Sequence, residues 1–166
     1  DEDTLNIDPK KIEEKITSKT KAILAVDVFG NPEDWDAILA IAKKHNLKVI
    51  EDSAESVGSA YKGRPCGSFG DASIFSFYPN KQMTTGEGGV VLTDSEEIAN
   101  LCRSMANQGR KLEGGSWLEH ARLGYNYRRG EFQCARGIAQ LERLHEMAKK
   151  RKKVAALYEK KLQRVK

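Results

Sequence analysis

Apolar positions recur every three or four residues in some stretches of the chain and run together in others, and the two patterns alternate. Asp8-Pro9 opens a short helix, with Asp8 as N-cap, Pro9 in the first turn, and Ile12 and Ile16 four apart on one face. Ala22 to Val26 follows as a buried strand. Asn31-Pro32 opens the next helix, whose Trp35, Ile38, Leu39 and Ala42 form one stripe before Asn46 ends it. Leu47 to Asp52 reads as a short buried strand that ends in a carboxylate. Ala72 to Phe77 is a further strand, entering a Thr/Gly-rich loop, and Gly89 to Thr93 is the strand leaving it. Asp94 with Glu97 makes a capping box for a helix carrying Ile98, Leu101, Cys102 and Met105. Residues 110–128 hold Gly114-Gly115 and little periodicity, so they predict a long loop of the kind that is usually functional or mobile. From Glu131 onward, Phe132, Ala135, Ile138, Leu141 and Leu144 predict one long helix. A strand, helix, strand order implies a right-handed parallel crossover, hence an α/β fold with a mostly parallel sheet.

Composition narrows this picture. A chain of 166 residues with 39% hydrophobic content suits one α/β domain with a modest core. No apolar run approaches the roughly 20 residues of a spanning helix, and the acidic start is unlike a secretory signal, so no membrane contact is expected. Cys66, Cys102 and Cys134 are odd in number and form no CxxC pair, while His45, His120 and His145 are scattered. The expectation is a reducing cytoplasm and no metal. The formal net charge is only +4, but Lys149 to Lys153, then Lys160, Lys161, Arg164 and Lys166, make the C-terminal end basic. A nucleic-acid-binding or structural interaction module is one way to read that tail. No aromatic residue interleaves the lysine run, which favours a solvated helix face and makes nucleic acid an unlikely partner.

The chemistry centres on Lys81. A lysine in a Thr/Gly-rich loop directly after an apolar strand is a poor packing choice, and an ordinary turn lysine is the plain alternative. A primary amine held there can form an imine with an aldehyde cofactor, while neighbouring hydroxyls and backbone N–H groups can hold an anion. Asp52 ends a strand, and open α/β sheets bind ligands outside the carboxyl ends of their strands. A helix or turn cap is the other use for such an aspartate.

The motifs Glu51-Asp52-Ser53-Ala54-Glu55, Phe75-Ser76-Phe77, and Lys81 with Thr84-Thr85-Gly86-Glu87-Gly88-Gly89 resemble those of the DegT/StrS sugar aminotransferases, fold type I pyridoxal phosphate (PLP) enzymes. The resemblance runs over nearly all of the chain and rests on the order and spacing of the motifs together. It implies a three-layer α/β/α large domain with a mostly parallel sheet, covering residues 1–128 in part, with residues 129–166 as a helix leading toward a further domain. It implies PLP as cofactor, with Lys81 as the Schiff-base lysine and Asp52 paired with the pyridine nitrogen. Ser76 would bind the cofactor phosphate, and Glu55 would lie near the phenolic oxygen, where the family often has Gln. Gly124-Tyr125-Asn126-Tyr127-Arg128 resembles a loop whose asparagine reaches the phosphate in the partner subunit, so a homodimer is implied. The implied reaction moves an amino group from a donor such as glutamate to a keto sugar carried on a nucleotide. Related sugar dehydratases carry histidine in place of the lysine, and Lys81 points away from that chemistry.

The chain departs from the family after Arg128. Where the family usually continues Leu-Ser-Glu and Gln-Ala-Ala-Leu-Gly, this chain has Arg129-Gly130-Glu131 and Gln133-Cys134-Ala135-Arg136-Gly137. An unpaired buried arginine costs several kcal/mol or more, so either this helix packs differently here or both side chains reach solvent or acidic partners. Family members extend further on both sides, so the chain is expected to be the central piece of an enzyme, and the piece need not be active alone.

Overall fold

The computed structural model describes residues 1–116, 118–163 and 165. Two of the basic tail residues named above, Arg164 and Lys166, lie outside the described residues. The first predicted helix is instead a pair of 3-10 turns, Pro9–Lys11 and Glu13–Lys15, with the Asp8 carboxylate accepting from the Lys10 N–H as expected of a cap. A segment this short closes too few i→i+4 bonds to repay helix nucleation, and 3-10 turns suffice to bring Ile12 into the core.

Strands β1 (Ala22–Val26) and β2 (Lys48–Asp52) pair in parallel, Ala22 opposite Lys48 through to Val26 opposite Asp52. Their apolar runs predict buried strands, but burial alternates along each. Ile23, Ala25, Val49 and Glu51 are covered, whereas Leu24 is 57% and Ile50 36% exposed. The reason is that helix α1 (Trp35–Lys44) covers one face only, through Trp35, Ile38 and Ala42. The cap of α1 is Asp34, whose Oδ1 accepts from the Ala37 N–H at 3.3 Å, and not Asn31-Pro32. Asn46 does end the helix: its φ is 52°, its N–H reaches the Lys43 carbonyl, and the Leu47 N–H reaches the Ala42 carbonyl at 2.8 Å. This is a left-handed exit that asparagine tolerates better than most residues.

A two-residue ribbon, β3 (Ala60–Tyr61) with β4 (Arg64–Pro65), precedes β5 (Ala72–Ser76). Here Phe69 stacks on Trp35 at 5.1 Å and closes the core under α1. β5 lies parallel to β2, and β6 (Gly89–Leu92) returns antiparallel to β5, giving the sheet order β1-β2-β5-β6. Helix α2 (Glu96–Ala106) is capped by Ser95, whose hydroxyl accepts from the Ile98 N–H at 3.3 Å, one residue later than the expected Asp94. The long loop after α2 is tied back onto that helix, with Asn107 bridged to Asn126 and the Tyr125 N–H on the Met105 carbonyl.

The predicted single C-terminal helix is two, α3 (Glu131–Glu142) and α4 (Leu144–Leu162), separated at Arg143. No proline or glycine sits at the break. It falls between two attachments to the lysine loop: Gln140 Oε1 accepts from the Thr84 N–H at 3.3 Å, and the Arg151 guanidinium reaches the Lys81 carbonyl at 3.2 Å. Gly137 lets α3 pass closely, since a Cβ there would lie 3.2 Å from the Thr85 methyl. Among the described residues no helix is long and apolar enough to cross a membrane.

Candidate functional site

The loop from Phe77 to Gly88 joins β5 to β6 and is held mainly by its own polar groups. The Phe77 N–H bonds the Gly88 carbonyl, the Thr85 N–H and the Thr84 hydroxyl both bond the Phe77 carbonyl, and the Gly86 N–H bonds the Thr84 hydroxyl. Met83 and Thr85 are buried at 4% exposure each and fix the loop against the body of the domain. The residue types suit a stiff support, since threonines satisfy a tight backbone locally and a single buried apolar side chain anchors it.

Lys81 is therefore presented from a loop tied by its own hydrogen bonds. Its side chain is 16% exposed, and Nζ lies 3.0 Å from Glu55 Oε1. The other Glu55 oxygen accepts from the Phe29 N–H at 2.9 Å, and the Glu55 carbonyl accepts from the Gln82 amide. Lys81 first, and the Phe29 N–H second, hold the Glu55 carboxyl below its ordinary range. Phe29, Glu55, Asn80, Lys81 and Gln82 line a hollow of about 170 Å³. A neutral glutamine at position 55 would give the amine only a neutral acceptor; this carboxylate gives it a counter-ion.

Two more of the expected site residues share a sheet face. Asp52 is opposite Ile74 in the register, and Ser76 lies two residues further along the same face of β5. Asp52 also serves as a turn cap, Oδ1 accepting from the Ala54 N–H at 3.0 Å. Ser76 lines a separate hollow of about 950 Å³ with Ile74, Val91, Tyr125 and Tyr127, between β5, β6 and α2. Asn126 is exposed and accepts from the Arg128 Nε at 2.9 Å. The fold thus joins Lys81 to Glu55 and aligns Asp52 with Ser76, while the Asn126 side chain bonds within its own loop.

The two arginines of the departing segment are accommodated differently. Arg129 bonds the Gly89 carbonyl and lies over the Phe77 ring, 5.0 Å from its centroid, while Arg136 is exposed. Gly130 stands at the N-cap of α3 with no side chain to cap it.

A second polar cluster lies beneath the sheet. Glu51, fully buried, accepts from the N–H groups of Gly67, Phe69 and Gly70 and from the hydroxyls of Ser53 and Ser73. Asp27, also fully buried, accepts from Ser56 and the Glu33 N–H and lies 2.8 Å from the Ser53 hydroxyl, whose single proton the two carboxylates share. Burial, with Asp27 close by, pushes the Cys66 thiol up to about 12. One ligand atom each from Asp27, Glu51 and Cys66 lies within 4.8 Å of the others, but serine and backbone donors already occupy the carboxylates. In sequence Glu51 stands out only as part of a motif. Strand alternation is the signal that would have found it, since it puts Glu51 on the same face as buried Val49.

The DegT/DnrJ/EryC1/StrS aminotransferase family matches residues 1–166. A GDP-perosamine synthase of Caulobacter vibrioides is 44% identical over 162 residues, 98% of this chain and 43% of that protein. The Helicobacter pylori aminotransferase PseC, involved in the biosynthesis of pseudoaminic acid, superposes with a TM-score of 0.90 at 32% identity, over 96% of this chain and 43% of its own. An E. coli GDP-4-keto-6-deoxy-D-mannose-3-dehydratase with bound hydrated PLP gives 0.89 at 30% identity, over 99% and 46%. The chain spans less than half the length of these relatives.

Proposed function

Because the chain belongs to the DegT/DnrJ/EryC1/StrS aminotransferase family, we propose that it is the lysine-bearing part of a PLP-dependent aminotransferase acting on a nucleotide-linked keto sugar, in polysaccharide or antibiotic-sugar biosynthesis. The observation that carries this reading is the Lys81 amine, largely shielded, mounted on a self-bonded loop and 3.0 Å from Glu55. The residues fit PLP by their chemistry: a shielded amine, a carboxylate at one strand end, and a hydroxyl at the end of the neighbouring strand on the same face. When bound, PLP supplies an aldehyde for the amine and a ring that withdraws electrons from the reacting carbon.

In this reading Lys81 holds the cofactor and its Nζ moves the proton at the substrate carbon. Glu55 keeps the amine oriented until the cofactor takes its place. Asp52 supports a protonated ring nitrogen, Ser76 donates a neutral hydrogen bond to phosphate, and Asn126 reaches the phosphate of a partner subunit in a homodimer. An amino donor such as glutamate and a cytoplasmic setting complete the proposal, as does a division into a PLP-binding part over 1–128 and a helical part over 129–166. The sugar dehydratase among the structural relatives offers a second reaction on the same fold, and Lys81 favours amination over it. A purely structural role with a basic C-terminal helix is a reading from another class.

The test is an absorbance spectrum of the protein with added PLP, before and after borohydride, followed by peptide mapping. A cofactor band with the label on Lys81, abolished in Lys81→Ala, is the expected result. A label on another lysine, or one that survives Lys81→Ala, overturns the assignment.

A further inference from the structure

Glu55 meets the backbone of a turn that is itself conformationally costly. Phe29 has φ 54° and ψ 21°, and Gly30 follows with φ 82°. A bulky residue in the left-handed region is strained. Such a turn persists only when its surroundings hold it, and the holding group is distant in sequence. The side-chain amide of Asn6, 6% exposed, donates to the carbonyls of Asn31 at 2.9 Å and Pro32 at 3.1 Å, and its Oδ1 accepts from the Val28 N–H at 3.1 Å. One planar amide thus bridges both ends of the turn. On the far side Ser59 donates to the Gly30 carbonyl at 2.8 Å, and a Cβ on Gly30 would lie 2.8 Å from the Glu55 carbonyl oxygen. The turn is pressed against Glu55 with its Phe29 N–H aimed at the carboxylate.

We infer that Asn6 is a positioning residue for the Glu55–Lys81 pair, acting through the strained Phe29-Gly30 turn. Its side-chain hydrogen bonds among the described residues go to Asn31, Pro32 and Val28, not to either partner. Its three bonds keep the Phe29 N–H on one Glu55 oxygen, which leaves the other oxygen facing Lys81 Nζ. Without that hold the turn relaxes toward right-handed φ, the N–H leaves Glu55, and the carboxylate no longer has a fixed rotamer from which to pair the amine. The inference rests on the reading of Lys81 as the reactive amine, but its test does not use the cofactor.

The test is trace acetylation of the natural full-length protein, free of PLP, at fixed pH, with the modification at Lys81 compared by peptide mass spectrometry with that of exposed lysines in the same digest. Asn6→Ala is expected to change the relative reactivity of Lys81 about fivefold, the size set by loss of a partly exposed ion pair. Phe29→Asn introduced into Asn6→Ala should restore the wild-type ratio, because asparagine occupies the left-handed region at lower cost. A merely structural role for Asn6 predicts no such rescue. An unchanged ratio in folded Asn6→Ala overturns the inference, and so does a changed ratio that Phe29→Asn leaves in place. If Asn6→Ala does not fold, Asn6→Asp, which keeps the acceptor for Val28 and loses both donors, carries the same comparison. Failure of PLP to label Lys81 in the wild-type protein would sink the aminotransferase reading and leave the acetylation result standing.

Discussion

Glu51 and Glu55 are four residues apart and the fold uses them in opposite ways. Glu51 is fully buried and accepts from three backbone N–H groups and two serine hydroxyls, which together close the 67–70 turn against the strand. Glu55 has one backbone donor and one lysine, and its side chain is 34% exposed. A carboxylate whose acceptor sites are filled by fixed donors is part of the scaffold and has nothing left to exchange. One whose main partner is a single amine gives that partner up at small cost. The difference lies in the donors each meets, since the residue type is the same.

The largest effect that would separate them is on stability. Glu51→Ala strands several buried donors at once and should destabilise the protein by about 3–5 kcal/mol, read from urea unfolding midpoints. A loss below about 1 kcal/mol would erase the contrast.

Glu33 offers an intermediate case: it is 1% exposed, one oxygen accepts from the Ile7 N–H, and the other has no partner among the described residues. Burial first, with the Asp27 charge adding, pushes it up to about 7. An acid whose folded pKa is raised binds more protons folded than unfolded, so stability is full below the ordinary glutamate range and falls as pH rises to about 7. The shift amounts to roughly 2–4 kcal/mol between pH 4.5 and 8. Glu33→Gln should flatten that fall, and urea midpoints at pH 5 and pH 8 for both proteins decide it. Glu55 and Asp71 lie below their ordinary values, chiefly through Lys81 and Lys48, so their contribution is lost only at more acid pH and does not enter this window.

A smaller change is expected at the α2 cap. Ser95→Ala removes the acceptor for the Ile98 N–H and should cost about 1 kcal/mol, whereas Asp94→Ala should cost a few tenths. Equal losses would show that the cap is shared. A small stability effect is also expected of Glu55→Gln, under about 1 kcal/mol because the pair is partly exposed. Its consequence should appear instead in the acetylation of Lys81. A large stability loss there would place Glu55 with Glu51 as scaffold.

Apolar runs located every strand of the main sheet, and helical periodicity located α1 and α2, each to within a few residues. The caps moved by one to three residues, from Asn31 to Asp34 and from Asp94 to Ser95, since several neighbouring residues have side-chain oxygens and only backbone geometry selects among them. The break at Arg143 carried no local mark, because it goes with attachments to a loop 56 and 70 residues away along the chain. The motifs around Lys81 and Asp52 were legible for the same reason that the strands were: they follow a strand end at fixed spacing.

Local pattern along the chain was enough for the strands, the lysine loop and the family, and it singled out Lys81. Packing across the fold was needed to select which of two nearby glutamates meets that amine, to leave one face of β1 and β2 uncovered, and to set Asn6 on the turn behind Glu55. The physical reason is range: helix and strand patterns are written in neighbours two to four residues apart, whereas these contacts join residues 22 to 26 apart.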